Sequence, residues 1–116
     1  MLAVRALLVD FDGTACVQDV SEMLLDTFGE PRWERFDEAV DRGEMGLREA
    51  GARQVAMLRG SREEMLVFAL PRAQLAPSFP TFIAWAEEND LPLVLASDRF
   101  AFYIRPILEE AGIGHL

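Results

Sequence analysis

Residues 5–19 read RALLVDFDGTACVQD, and this stretch decides the fold. An apolar run, residues 6–9, leads directly into the polar stretch DFDGT at residues 10–14. A short continuous apolar run that is bounded by turn residues is typical of a strand in a parallel sheet with helices on both faces. We therefore expect a first strand that is buried on both faces and ends in two carboxylates.

The composition describes a globular domain with an acidic surface. The chain has 116 residues, of which 51% are hydrophobic, so a packed core is expected. Its 20 acidic residues outnumber 11 basic residues, all of them Arg, and give a net charge of -9. General nucleic-acid binders and partners of anionic membranes need a basic face. We therefore predict neither a nucleic-acid partner nor a membrane partner.

The single cysteine and the amino-terminal residues indicate the cellular compartment of the protein. Cys16 is the only cysteine, which excludes an internal disulfide and indicates a reducing environment. The apolar run near the amino terminus is short, is interrupted by Arg5 and is followed by acids instead of a small-residue cleavage site. These features predict a cytoplasmic protein without a membrane span.

Helix signals dominate the sixty residues after the first strand. Asp19 with Glu22, and Ser61 with Glu64, have the spacing of capping boxes, which begin helices. Apolar residues at helical spacing, with Gly or Pro after them, mark further helices. We predict four helices, over residues 19–28, 32–42, 47–58 and 61–70.

A second strand is predicted in LPLVLASD, residues 91–98, where an apolar run again leads into small and acidic residues. One helix precedes it and another follows, from Ile104 to Gly112. Two strands joined in this way imply a right-handed parallel crossover, but four additional helices are too many for one crossover. We therefore expect an α/β core, residues 1–15 and 76–116, interrupted by a helical domain, residues 16–75.

Both polar clusters follow a strand, and in open α/β sheets ligands bind beyond the carboxyl ends of strands. Asp10 and Asp12 stand at alternate positions and can project to the same side. One carboxylate could attack as a nucleophile while the other, its proton affinity raised by its neighbour, donates a proton. Because carboxylates repel phosphate, such a nucleophile needs a cation, and Mg²⁺ prefers both kinds of oxygen.

The neighbouring residues suit a phosphate group. Gly13 permits a sharp turn that presents backbone amides, and the Ser97 hydroxyl could hold another phosphate oxygen. A purely structural alternative stays open, in which the acids only cap the next turn or helix and Ser97 caps another.

The motif LLVDFDGTA, residues 7–15, resembles the first signature of the haloacid dehalogenase-like hydrolase superfamily: an apolar strand, then Asp, any residue, Asp, any residue and Thr or Val. The resemblance implies an incomplete Rossmann-like parallel sheet core with a helical cap inserted after strand one. It implies a Mg²⁺-dependent phosphatase in which Asp10 becomes an aspartyl phosphate and Asp12 is the general acid and base. Both residues would contact the metal.

LVLASD resembles the second signature of the superfamily, so Ser97 would bind phosphate together with Gly13 and Thr14. Residues 10–50 are most similar to the phosphoserine-phosphatase-like branch, in particular its methionine-salvage phosphatases. The substrate implied is a small phosphorylated metabolite. A related branch holds a substrate carboxylate with an Arg of the cap, which makes Arg53 a candidate, although a surface ion pair explains a helical Arg equally well.

Two family features are missing from this chain. It contains no Lys to steady a phosphorylated Asp, and after Asp98 its only acids are Glu109 and Glu110, inside a predicted helix. Two strands are also fewer than the family's sheet requires, and their edges would be exposed. We predict a truncated, catalytically incomplete phosphatase. The alternative is a non-catalytic remnant or assembly module that forms a homodimer through its exposed sheet edge.

Overall fold

The computed structural model describes residues 6–97 and 99–116, and in these residues it contains two strands and six helices. The elements, in chain order, are β1 (Leu7–Asp10), α1 (Val20–Phe28), α2 (Arg35–Asp41), α3 (Leu47–Ala56), α4 (Arg62–Ala69), α5 (Phe79–Glu88), β2 (Leu93–Ala96) and α6 (Ile104–Glu110). The predicted α/β class and the order of elements are confirmed. None of the helices in the described part of the chain is long and apolar enough to cross a membrane.

The two strands pair in parallel, which places both of their carboxyl ends at one edge of the sheet. Leu7 lies opposite Leu93, and Asp10 lies opposite Ala96. The ladder continues one step beyond β1, because the Phe11 N–H donates to the Ala96 carbonyl at 2.9 Å. The residues that follow each strand are therefore neighbours in space.

The sheet is packed on one face only among the described residues. The side chains of Val9, Leu93 and Leu95 pack against the core, whereas Leu8 is 76% exposed and Val94 is 53% exposed. The prediction that the first strand is buried on both faces is wrong for these residues. Side chains alternate along a strand, and the described helices cover only one of the two faces.

The main core lies between the covered face of the sheet and helices α1, α4, α5 and α6. Its fully buried centre includes Phe11 and Tyr103, whose ring centroids are 6.2 Å apart. Such a tilted pair is favourable because the edge of one ring faces the electron-rich surface of the other. The core thus holds the turn after β1 against the residues that precede α6.

Helices α1 to α4 form one continuous stretch of chain, here called the four-helix segment, whose two ends lie side by side. The Val17 N–H donates to the Gln74 carbonyl, and the Ala76 N–H donates to the Ala15 carbonyl, both at 2.7 Å. A smaller cluster of Leu25, Trp33 and Met57 forms its own packed centre. The predicted division of the chain into a core and a helical cap stays a prediction.

Helix α2 begins three residues later than the sequence pattern predicts. Arg32 has a φ angle of 64°, in the left-handed region, and a residue in that region cannot continue a right-handed helix. The chain therefore turns at residues 31–34 before α2 starts at Arg35. Apolar spacing alone carries no information about this turn.

The capping box of α4 provides a test of the fold. Glu64 N–H donates to Ser61 Oγ at 3.1 Å, and the Glu64 carboxylate accepts from the Ser61 N–H. We expect Ser61→Ala to lower the free energy of unfolding by about 1 kcal/mol, because it leaves the Glu64 amide without this acceptor. Urea titration followed by circular dichroism measures the change.

Ser78 is the matched control, since it also precedes a helix but its side chain makes no capping hydrogen bond. Ser78→Ala is expected to change the free energy of unfolding by only a few tenths of a kcal/mol. Equal losses in the two variants would contradict the capping role of Ser61.

Candidate active site

Asp10 and Asp12 lie beside each other at the carboxyl end of β1. Phe11, between them, is fully buried in the core, while both carboxylates line one cleft. Asp10 is exposed, and its one side-chain hydrogen bond within the described residues is a long one, 3.4 Å from the Thr14 hydroxyl. The alternation of the strand thus continues through Phe11, as the sequence predicts, and leaves the Asp10 carboxylate open to the cleft.

The Asp12 carboxylate is held by donors from three other parts of the chain. Its Oδ1 accepts from the Val20 N–H at 2.9 Å, at the first residue of α1. Its Oδ2 accepts from the Ser97 hydroxyl at 2.8 Å and from the Tyr103 hydroxyl at 2.6 Å. Hydrogen bonds thus reach both oxygens of this side chain. Asp12 therefore helps to cap α1, as the structural alternative proposed, and it also lines the cleft.

The Tyr103 hydroxyl, one of the three donors to Asp12, has a strongly raised pKa. Burial and the hydrogen bond to Asp12 raise the pKa of the Tyr103 hydroxyl well above its usual value of 10, whereas the contact with Ser97 lowers it. The phenol is fully buried, and the tyrosinate would face the Asp12 carboxylate. Tyr103 therefore stays a hydrogen-bond donor to Asp12 throughout the neutral pH range.

Gly13 and Thr14 form the turn after Asp12 and do not line the cleft in this structure. Gly13 has a φ angle of 72°, which a residue with a side chain rarely adopts. Its N–H donates to the Gln18 carbonyl, and the Thr14 N–H donates to the Phe11 carbonyl, each at 3.2 Å. Their assignment to phosphate binding stays a prediction, as does that of Ser97.

Arg99 brings a positive charge into the cleft from the loop after β2. Its guanidinium donates to Asp37 Oδ2 on α2 at 2.6 Å and to the Ser21 hydroxyl on α1 at 2.9 Å. Asp19 Oδ1 lies 3.8 Å away, and the Trp33 ring centroid lies 5.2 Å from the guanidinium carbon. Arg99 thus joins the sheet edge to two helices of the four-helix segment. Asp98, which precedes it, lies outside the described residues.

The cleft has a volume of about 140 Å³. Its walls combine the sheet edge with α1, α2 and α3. The lining residues are Asp10, Asp12, Asp19, Ser21, Asp37, Leu47, Gly51, Gln54, Ser97 and Arg99. Four carboxylates and one guanidinium give the cleft a negative balance, so an anionic ligand needs an additional cation.

Arg53 is exposed on α3 and lies outside the residues that line the cleft. The next residue, Gln54, faces the cleft instead. A helix presents residues three and four positions apart on one face, so Leu47, Gly51 and Gln54 share a face that Arg53 does not. The substrate role of Arg53 stays a prediction.

Only part of a metal site can be assembled from the described residues, which contain no group of three or more acidic, His or Cys side chains placed to hold an ion. The donor chemistry nevertheless fits Mg²⁺, which binds through one or two carboxylates and completes its shell with water and substrate phosphates. The open Asp10 carboxylate suits such a ligand. The Asp12 side chain is occupied by its three donors.

Several residues of the site were not identified from the sequence, among them Tyr103, which is buried and does not line the cleft. Arg99, Tyr103, Asp37 and Gln54 carry no local motif, and their side chains meet Asp12 or one another only through tertiary packing. Among them, only Gln54 could have been suspected from the sequence, because it is a polar residue on the face of α3 that carries the small residues Ala50 and Gly51.

The fold and this cleft define a member of a known class of hydrolases. A family model for haloacid dehalogenase-like hydrolases matches residues 7–116. The chain belongs to this family.

Curated relatives agree with that assignment. The chain is 28% identical over 104 residues to a 2-hydroxy-3-keto-5-methylthiopentenyl-1-phosphate phosphatase of Bacillus velezensis, covering 89% of this chain and 44% of the relative. It is also 28% identical over 102 residues to the polyol phosphate phosphatase PYP1 of Saccharomyces cerevisiae, covering 85% of this chain and 42% of that relative. The chain spans less than half the length of these two relatives.

A solved structure supports the fold independently. A phosphoserine phosphatase with a phospho-aspartyl intermediate analogue matches with a TM-score of 0.72 and 17% identity, covering 97% of this chain and 55% of that one. The predicted resemblance to the phosphoserine phosphatase fold is confirmed.

Alkaline titration tests the environment of Tyr103. Because its folded pKa lies above the unfolded value of about 10, the unfolded state loses the proton first and stability falls as pH rises through about 10. Cys16, whose pKa burial raises, contributes in the same direction from about pH 9. We expect Tyr103→Phe to reduce this loss of stability above pH ~10, measured by urea unfolding across the pH range.

Tyr103 is the only tyrosine, so ultraviolet absorbance of tyrosinate reports on it alone. The absorbance is expected to rise only when the far-ultraviolet circular dichroism of the fold is lost. Formation of tyrosinate near pH ~10 in the folded protein would contradict the hydrogen bond to Asp12.

Proposed function

We propose that this chain carries the nucleophile and the general acid of a Mg²⁺-dependent phosphatase that hydrolyses a small phosphorylated metabolite. The observation that carries the proposal is the pair of carboxylates at the end of β1: Asp10 is open to the cleft, and Asp12 is fixed beside it by three hydrogen bonds. Membership in a hydrolase family and the phosphatase names of the relatives support it.

In the proposed reaction, a carboxylate oxygen of Asp10 attacks phosphorus and forms an aspartyl phosphate. The bond from phosphorus to the ester oxygen breaks, and the leaving oxygen takes a proton from Asp12. A water molecule then attacks the aspartyl phosphate while Asp12 takes one of its protons. Inorganic phosphate leaves, and both carboxylates return to their starting states.

The contacts of Asp12 suit a group that changes its protonation state. Hydroxyl groups can donate or accept, so Ser97 can stay bonded to Asp12 whether or not Asp12 carries a proton. The Val20 N–H, at 2.9 Å, is a fixed donor that keeps the carboxylate in place. In this proposal Asp12 is positioned for proton transfer, and Asp10 is free to approach phosphorus.

The negative balance of the cleft explains why a metal ion is part of the proposal. A bound Mg²⁺ supplies positive charge that offsets the repulsion between the carboxylates and the phosphate. The Asp10 carboxylate and the Asp12 backbone carbonyl would hold it. Gly13, Thr14 and Ser97 are the proposed phosphate contacts, and the four-helix segment is the proposed cap over the cleft.

The metabolite itself is proposed only by class. A cleft of about 140 Å³ suits a small ligand. The relatives named above act on phosphate esters of small hydroxylated or keto compounds, by their names. Turnover of such a substrate is proposed for a full-length phosphatase, because this chain is predicted to be catalytically incomplete, and a homodimer formed through the strand edges is the alternative for this chain.

The nucleophile is tested by Asp10→Asn. In a full-length version, we expect the variant to lose at least ~10³-fold in hydrolysis of an aryl phosphate with Mg²⁺, because an amide cannot form the aspartyl phosphate. The first step is measured separately, by incubation with acetyl phosphate and mass spectrometry after acid quenching. A phosphoryl group is expected on wild-type Asp10 and not in the variant.

Asp41→Asn is the matched control, since it makes the same chemical change at an exposed residue at the end of α2, outside the cleft. It should leave both measurements unchanged. Phosphorylation or hydrolysis that persists at the wild-type level in Asp10→Asn would overturn the assignment of the nucleophile.

A further inference from the structure

One buried polar atom in the described part of the chain has no hydrogen-bond partner there, namely Oε1 of Gln54. Gln54 is 1% exposed and lines the same cleft as Asp10. Buried acceptors are normally satisfied, and a specific exception calls for a physical explanation. Because Gln54 lines the cleft, a group bound there is the candidate for the missing partner.

The orientation of the Gln54 amide is fixed by its neighbours. Its Nε2 donates to Asp37 Oδ1 at 3.0 Å and lies 3.4 Å from the Trp33 carbonyl oxygen. Both partners are acceptors, so the NH₂ end must face them, and a flipped amide would place oxygen against oxygen. The free carbonyl oxygen is therefore a consequence of the network.

The network also holds the amide rigidly with respect to the sheet edge. Asp37, which accepts from Gln54, accepts in turn from Arg99 at 2.6 Å. The backbone nitrogen of Arg99 lies 3.5 Å from Ser97 Oγ, and the Ser97 hydroxyl donates to Asp12. Gln54 Oε1 thus belongs to an amide of fixed orientation in the cleft that Asp10 and Asp12 also line.

We propose that Gln54 Oε1 accepts a hydrogen bond from a hydroxyl group on the alcohol part of the substrate, so that the cleft selects hydroxylated alkyl phosphates. This inference rests on the proposed function. A hydroxyl group can donate to this oxygen, and the nearest carboxylate, Asp37, is already paired with Arg99 and offers no free partner to an ammonium group.

The first experiment compares ligands on the unmodified Gln54 site. Binding of glycerol 3-phosphate and of n-propyl phosphate is measured by calorimetry with Mg²⁺, with Asp10 left intact as the proposed metal ligand and release of inorganic phosphate assayed in parallel. The two ligands share the phosphate and three carbons and differ in hydroxyl groups. We expect glycerol 3-phosphate to bind at least ~10-fold more tightly, because a site that hydrogen-bonds a hydroxyl discriminates against an analogue that lacks it.

The second experiment removes the acceptor. Gln54→Met keeps the length of the side chain but has no amide, and we expect it to abolish the preference for glycerol 3-phosphate while leaving propyl phosphate affinity within about twofold. Gln74→Met is the matched control: Gln74 is exposed and lies outside the cleft, so the preference should persist. The ligand comparison does not depend on the stability of Gln54→Met.

The outcomes separate this inference from the proposed function. Equal affinities for the two ligands, or a preference that survives in Gln54→Met, would overturn the role of Gln54 and leave the phosphate site standing. Tighter binding of 3-aminopropyl phosphate than of glycerol 3-phosphate would overturn the choice of a hydroxyl group. If neither ester binds, the phosphate site and the inference both fail.

Discussion

The carboxylate of Asp12 is the constraint on which the arrangement of this protein depends. Its two oxygens accept from the first residue of α1, eight positions away in sequence, and from the residues after β2 and before α6, which are 85 and 91 positions away. Each donor belongs to a buried or half-buried residue, and a buried donor without an acceptor lowers the stability of the fold. Satisfying all of them at one point fixes the turn after β1 relative to the helices, and it leaves the neighbouring Asp10 free.

The parallel pairing of β1 and β2 makes this convergence possible. The register that places Asp10 opposite Ala96 also places Ser97 beside the turn that carries Asp12. A shift of one residue would turn each side chain to the other face of the sheet and break the contact. The covered face, with Val9, Leu93 and Leu95 against the core, holds that register.

The sequence predicted those parts that depend on local patterns. The capping box of Ser61 and Glu64, the N-cap at Asp19 and the meeting of the two strand ends all follow from short-range spacing, and they are confirmed. The start of α2 was predicted too early, because it depends on the left-handed backbone conformation of Arg32. Arg is not a residue type that indicates such a conformation.

In the cleft, too, some residues are placed by local sequence patterns and others only by the packing of distant elements. That Asp10, Asp12 and Ser97 would come together was predictable from strand direction, and it is confirmed. That Arg99 would reach Asp37, or that Gln54 would present an oxygen, depends on how three helices pack against the loop after β2. Side-chain orientation of this kind is set by tertiary contacts, which one sequence does not reveal.

The position of Arg99 has a mechanical consequence. Because its guanidinium joins the loop after β2 to both α1 and α2, a hinge motion that swings these helices away from the sheet has to break the ion pair with Asp37. Gln54 keeps its hydrogen bond to Asp37 in such a motion only if α3 moves together with α2. An ion pair at the wall of the cleft therefore resists separation of the sheet edge from the helices that enclose it.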